Sequence, residues 1–275
     1  MDFLALSKRS KTAKVSITLE EMNKIINWNA LEGIVKKIDK SNTSRGGRKP
    51  IALITKLKML FVQYLYNLSD PELEDQLIDR ISFQRFVGIG LNEEIPDFST
   101  LWRFKEALIK EQLMDRIFSS IVKQIELKGV LVKKGTLVDA TIISSTTKPL
   151  SKEKREKINQ QISISQIDTQ AGGTEKNGKK YFGYKGHIGL DMESKIIRKR
   201  VFTSASVHDS QLLEDVLSGD EKAIVADKAY ANIKLKKAAR SIGLFYGILD
   251  KATKGKKLSR KQEKRNLKLF TFGSL

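Results

Sequence analysis

Near residue 130 the apolar residues change their period, and that change limits the fold more than any other feature. Before it, Leu53, Leu57, Leu60, Phe61, Tyr64 and Leu68 recur at helical spacing. A second stripe, Leu101, Phe104, Leu108, Ile117, Ile121 and Ile125, predicts one long helix that Ser99 caps and Gly129 ends. Between them, "NLSDPELEDQL" offers Ser69 or Asp70 as a helix cap with Pro71 in the first turn. After residue 130 the runs become short and β-branched, beginning with Leu137 to Ile143. "YFGYKGHIGLDMESKIIRKRVFTSAS" reads as two strands joined at "DMES", and "HDSQLLEDVLSG" as a short helix closed by Gly219. Strand "AIVAD", helix "ANIKLKKAARSIG" and strand "LFYGILD" follow, while Ser144 to Lys180 reads as a polar loop with a helical piece. The expected fold is an all-helical domain over residues 1–130, then an α/β domain with a mixed sheet over 131–275.

Charge narrows the partner. Lys and Arg number 51 against 32 Asp and Glu, a net charge of +19, which favours a polyanion. Nucleic acid comes first and an acidic membrane surface second. The absence of cysteine removes disulfides, cysteine nucleophiles and thiolate-bound zinc. No run approaches the ~18 apolar residues of a membrane span, and "MDFLALSKRSKTAK" lacks the apolar core of a secretory signal. A soluble cytoplasmic protein is expected.

Two acids interrupt apolar runs: Asp139 in "LVDATIIS" and Asp227 in "AIVADKAYAN". An isolated carboxylate inside a core is costly to desolvate. Two carboxylates from neighbouring strands would instead share divalent metal, since Mg²⁺ takes hard oxygen ligands and needs only two or three from protein. The plainer alternatives are that Asp227 caps a helix beginning near Tyr230 and that Asp139 pairs with a lysine.

"VDATIIS", "YFGYKGHIGLD", "VHDSQ" and "VADKAYAN", in that order, resemble bacterial insertion-sequence transposases of the DDE class, the IS-five group. "LSDPELEDQL", "FQRFVGI" and "PDFSTLWRFKEAL" extend the resemblance into the helical half, so that it spans roughly Trp28 to Asp250. The resemblance implies an RNase H-like catalytic domain behind a helical DNA-binding domain. It makes Asp139 and Asp227 the first two catalytic acids and metal ligands, for Mg²⁺ or Mn²⁺ in a two-metal site. It also implies double-stranded DNA as partner, both terminal repeats and target, and a homo-oligomer on that DNA, with a nucleoid location. The family's third acid is a Glu on a later helix. Glu263 sits too early for it and Asp250 ends a strand, while "FTFGSL" reads as a non-helical ending, which places the expected Glu past Leu275. The expectation is a truncated transposase that binds DNA and, weakly, one metal ion, but is deficient in strand cleavage and joining. The alternative is a DNA-binding protein that occupies the terminal repeats.

Weaker signals complete the reading. Lys185 and Tyr184 in "GYKGH" are either phosphate or base contacts or an ordinary strand face, and Lys228, beside Asp227, is a further candidate DNA contact. So are Arg45, Arg48 and Lys49 in "RGGRKP", which is either a minor-groove hook or a basic linker. His208 with Asp209 resembles the family's "HD", although a surface or hydrogen-bonded histidine is the commoner role for it and for His187. "GTEKNGKK" falls short of a phosphate loop because Lys180 stands where Ser or Thr must be, so a flexible loop is expected. Trp28 and Trp102 are expected in the core. Nine of the residues from Lys251 to Lys268 are Lys or Arg, either a solvated helix or tail or a phosphate-tracking surface. Neither histidine has Arg three residues on, which disfavours a tyrosine recombinase.

Overall fold

The helical stripes of the first half close around one core. The computed structural model describes residues 14–39, 50–90, 92–147, 149, 151, 156, 168–176, 178–252, 255 and 257–273. The chain divides into two units, Met1–Gly129 and Val130–Leu275. The described residues of the first form α1 (Lys14–Ile25), α2 (Trp28–Val35), α3 (Leu53–Tyr66), α4 (Asp70–Asp79), α5 (Ile81–Val87), α6 (Phe98–Lys110) and α7 (Met114–Leu127). Their core includes Leu31, Leu57, Val62, Leu77, Phe83 and Leu108. Trp28 joins it, edge-on to Phe61 with ring centroids 4.8 Å apart.

Ser69 starts α4 with a full capping box. Its Oγ accepts from the Glu72 N–H at 3.3 Å, and Glu72 Oε2 accepts from the Ser69 N–H at 2.7 Å. The stripe expected to make one helix from Ser99 to Gly129 makes two, and the cap of the first is Asp97, which accepts from the Thr100 N–H at 2.9 Å. Gln112 breaks the stripe in a left-handed conformation (φ 53°), and the Leu113 N–H closes α6 on Leu108 O at 2.9 Å. That bend carries Leu113 and Ile117 into the same core as Leu101 and Phe104. Trp102, next to Leu101 but off its stripe, is 53 % exposed rather than buried, and Tyr64 of α3 is exposed as well.

The second unit is a single mixed sheet of β1 (Thr136–Ser144), β2 (Gly172–Lys176), β3 (Lys179–Asp191), β4 (Ile197–Ser204), β5 (Ala223–Ala226) and β6 (Phe245–Ile248). Its order is β2-β3-β1-β5-β6, with β4 also beside β3. β3 is antiparallel to β1, β2 and β4, whereas β5 runs parallel to both β1 and β6. With helices α8 (Ile233–Ser241) and α9 (Arg260–Gly273), this is the RNase H-like α/β fold. Val138, Leu213, Val216, Ile224, Tyr230 and Ile248 lie in its core. The first half of β3 pairs with β2 and the second with β4. Gly183 stands at the changeover with φ 153°, where a Cβ would come within 2.2 Å of Ile143 O.

Three expectations are corrected here. The stretch around Gly173 to Lys180 is no loose loop but the β2–β3 hairpin, with Lys176 in register with Lys179. "HDSQLLEDVLSG" forms two 3₁₀ turns, Asp209–Gln211 and Glu214–Val216, because Leu212, Leu213 and Val216 must all reach the core over a short path. The final apolar residues, expected to be non-helical, continue α9 to Gly273. The helical piece expected within Ser144 to Lys180 falls largely outside the described residues.

Candidate active site

Parallel pairing between β1 and β5 ends immediately before the two acids. Thr136, Leu137 and Val138 register with Ile224, Val225 and Ala226. Asp139 and Asp227 come next on their strands, each one residue past the last registered pair. Neighbouring strands lie about 4.8 Å apart. Val138 is buried, so the alternation of β1 turns Asp139 outward, while Asp227 leaves the end of β5 to start a turn; both acids are exposed. The sequence argument from costly burial is thereby corrected: these carboxylates sit where apolar strands meet water, and solvation offsets their charge. Asp139 Oδ1 accepts from the Ala140 N–H at 2.8 Å, and Asp227 Oδ1 from the Lys228 N–H at 2.6 Å. Among the described residues no cation pairs with either acid.

Asp227 does cap a helical turn, the 3₁₀ turn Lys228–Tyr230. The turn closes through the Tyr230 N–H, which donates to Asp227 O at 3.0 Å. Its last side chain points inward: Tyr230 is 1 % exposed, and its hydroxyl lies 2.8 Å from Nδ1 of His187, itself fully buried on β3. Burial pushes the phenol's pKa well up, and the charges of Asp209, Asp139 and Asp227 push it the same way. Burial lowers the pKa of His187, against the pull of Asp209, so the ring is neutral near pH 7. The phenol and Nδ1 share one hydrogen bond, and the ring's Nε2 lies 3.5 Å from Thr203 Oγ1.

The other sequence candidates separate into engaged and exposed groups. Lys185 Nζ reaches Asp209 Oδ1 and Val207 O, both at 2.9 Å, and is largely buried. Tyr184 donates to Asp168 at 2.5 Å, and that hydrogen bond is the main cause of the lowered Asp168 pKa. His208 is exposed and caps the turn that carries Asp209, with Nδ1 accepting from the Ser210 N–H at 3.2 Å. Lys228 is exposed beside Asp227. Arg45, Arg48 and Lys49 lie outside the described residues. Of the two acids weighed as a third ligand, Asp250 is held by Lys236 at 2.6 Å and Arg265 at 2.8 Å, and Glu263 lies in the first turn of α9. Among the described residues no group of three His, Cys, Asp or Glu side chains gathers as a metal cage. No helix among them is long and apolar enough to cross a membrane.

Tyr230, Thr203 and the Arg265 anchor went unmarked in the sequence. Tyr230 lay inside a quoted stretch, but its partner is two strands away, and only the register reveals it.

The two halves match two family models. Residues 7–107 match a model described as "Transposase domain (DUF772)". Residues 131–272, more than half of the chain, match one described as "Transposase DDE domain", and that segment contains both Asp139 and Asp227. With the RNase H-like sheet, the match shows that this chain belongs to the DDE transposases.

Proposed function

We propose that the protein cleaves a phosphodiester at each end of an insertion sequence and joins the freed 3′-OH to target DNA, both at one metal-dependent site. The observation that supports this best is the β1–β5 register, which brings Asp139 and Asp227 to equivalent positions at the strand edge. Two exposed carboxylates with no cation partner among the described residues are the hard-oxygen donor set that Mg²⁺ or Mn²⁺ takes, so the residues fit the metal. Metal bound there supplies charge neutralisation on the phosphate and a more acidic attacking hydroxyl. Asp139 and Asp227 would hold it. Lys228, exposed beside Asp227, is placed to meet a phosphate oxygen. Water adds to phosphorus as the bond to the 3′ oxygen breaks, and the departing oxygen takes up a proton to become 3′-OH. In the second step that 3′-OH adds to a target phosphorus and displaces the target's own 3′ oxygen. No bond to the protein forms.

The net charge of +19 suits duplex DNA, and action on paired element ends suits a homo-oligomer at the nucleoid. A second reading has one observation behind it, the absence of a third gathered carboxylate among the described residues. On that reading the 275-residue polypeptide occupies terminal repeats and turns over weakly. A cleavage and strand-transfer assay on terminal-repeat DNA with Mg²⁺ or Mn²⁺ separates the two. Robust turnover by the unaltered polypeptide, abolished by Asp139→Asn with DNA binding nearly intact, supports the enzyme. Weak turnover that Asp139→Asn leaves unchanged supports the occupancy reading.

A further inference from the structure

We infer that Tyr230 and His187 are positioning residues, a buried polar tie that holds the Asp227 turn against the strand pair carrying Asp139; the inference rests on the metal site proposed above. Backbone pairing alone does not fix Asp227. The β5 ladder ends at Ala226, so Asp227 begins a turn with no strand partner recorded on either side. From that turn the Tyr230 side chain passes beneath β1 and reaches β3, where His187 registers with Ala140, the residue after Asp139. One hydrogen bond therefore spans β5, β1 and β3 directly under the two acids. Both partners are fully buried, so neither can exchange the bond for water, and loss of either leaves a buried polar group unpaired.

His187 is held in its turn by its own strand and by Thr203 of β4. Lys185, two residues earlier on β3, binds Asp209. The charged and polar groups around Tyr230 are thus Asp209, Asp139, Asp227 and His187, with Lys185 one bond further out. The Tyr230 hydroxyl and His187 Nδ1, 2.8 Å apart and both buried, fix each other's direction. Groups that orient metal ligands from behind usually matter about 10- to 100-fold in metal affinity.

Mn²⁺ binding to the full chain, followed by water-proton relaxation, tests this without needing turnover. Tyr230→Phe keeps the ring and removes only the hydroxyl. It is expected to raise the Mn²⁺ Kd about tenfold, as is His187→Leu, whereas His187→Gln keeps an acceptor and recovers part of the loss. Val216→Ala, in the same core but away from the turn, serves as the stability control. It should lower the melting temperature by at least as much while leaving the Kd unchanged. If Tyr230→Phe and Val216→Ala shift the Kd equally, or Tyr230→Phe leaves it at the wild-type value, the positioning role is wrong. If Asp139→Asn and Asp227→Asn also bind Mn²⁺ normally, the metal site itself is wrong, a separate failure.

Discussion

Arg265 reaches back from α9 to the end of β6 and holds Asp250, Nη1 to Oδ2, at 2.8 Å. The same guanidinium donates to Ile248 O at 3.0 Å and to Tyr246 O at 2.6 Å, and Asn266 Nδ2 adds a bond to Asp250 O at 3.0 Å. Asp250 is therefore the anchor of the last helix. Replacing Arg265 with Ala leaves a mostly buried carboxylate with one cation fewer, at a cost of roughly 3 kcal/mol. Circular dichroism during urea unfolding should show that loss, with α9 released first.

The same cluster sets a pH dependence. Burial by itself raises the Asp250 pKa, but hydrogen bonds and charge from Lys236 and Arg265 outweigh it, so the folded value lies below the ordinary one. A depressed carboxylate contributes stability that is fully present above its unfolded pKa, about 3.9, and is lost as pH falls through the folded value. Stability of the wild type should fall more steeply below about pH 4 than that of Asp250→Asn, as measured by unfolding midpoints from pH 6 downward. Parallel curves would remove Asp250 from the account.

Both tryptophans, Trp28 and Trp102, belong to the helical unit, so their fluorescence reports that unit alone. Ser69→Ala removes the cap of α4 and should lower the fluorescence-detected stability by about 1 kcal/mol. The sheet's own unfolding, followed by hydrogen exchange of the β1–β6 amides, should not move.

Gly189 tests the other unit. A Cβ there would come within 2.1 Å of Val216 O, a backbone atom with little room to retreat. Gly189→Ala should cost about 1–3 kcal/mol and push the 3₁₀ turn off the sheet, with the Trp fluorescence transition unchanged.

Lys185 and Lys228 were equal candidates for DNA contact in the sequence, but the structure separates them. Lys228 is exposed, whereas Lys185 is engaged by Asp209. Lys228→Ala should lower the slope of log K against log salt by about 1. Lys185→Ala should leave that slope alone and cost stability instead, on the order of 3 kcal/mol. Equal slopes for both variants would contradict this division.

What the sequence made legible follows its periods. The shift near residue 130 located the two fold classes, and the two acids beside apolar runs proved to follow the last registered pair of β1 and β5. Periodicity could not show that Gln112 would adopt a left-handed φ and cut one stripe into two helices. Nor could composition show that a Gly- and Lys-rich stretch would pair as a hairpin, since β2 is held by the register of β3 rather than by its own propensity. The Tyr230–His187 contact depends on three strands lying side by side, a relation no local window contains.

The central claim is that Asp139 and Asp227 share one metal ion. Crystals soaked in Mn²⁺ and measured at an anomalous wavelength test it directly. The account predicts a peak about 2.1–2.3 Å from a carboxylate oxygen of each residue, lost in Asp139→Asn. A well-ordered pair of carboxylates turned apart, with no peak between them at saturating Mn²⁺, would contradict it.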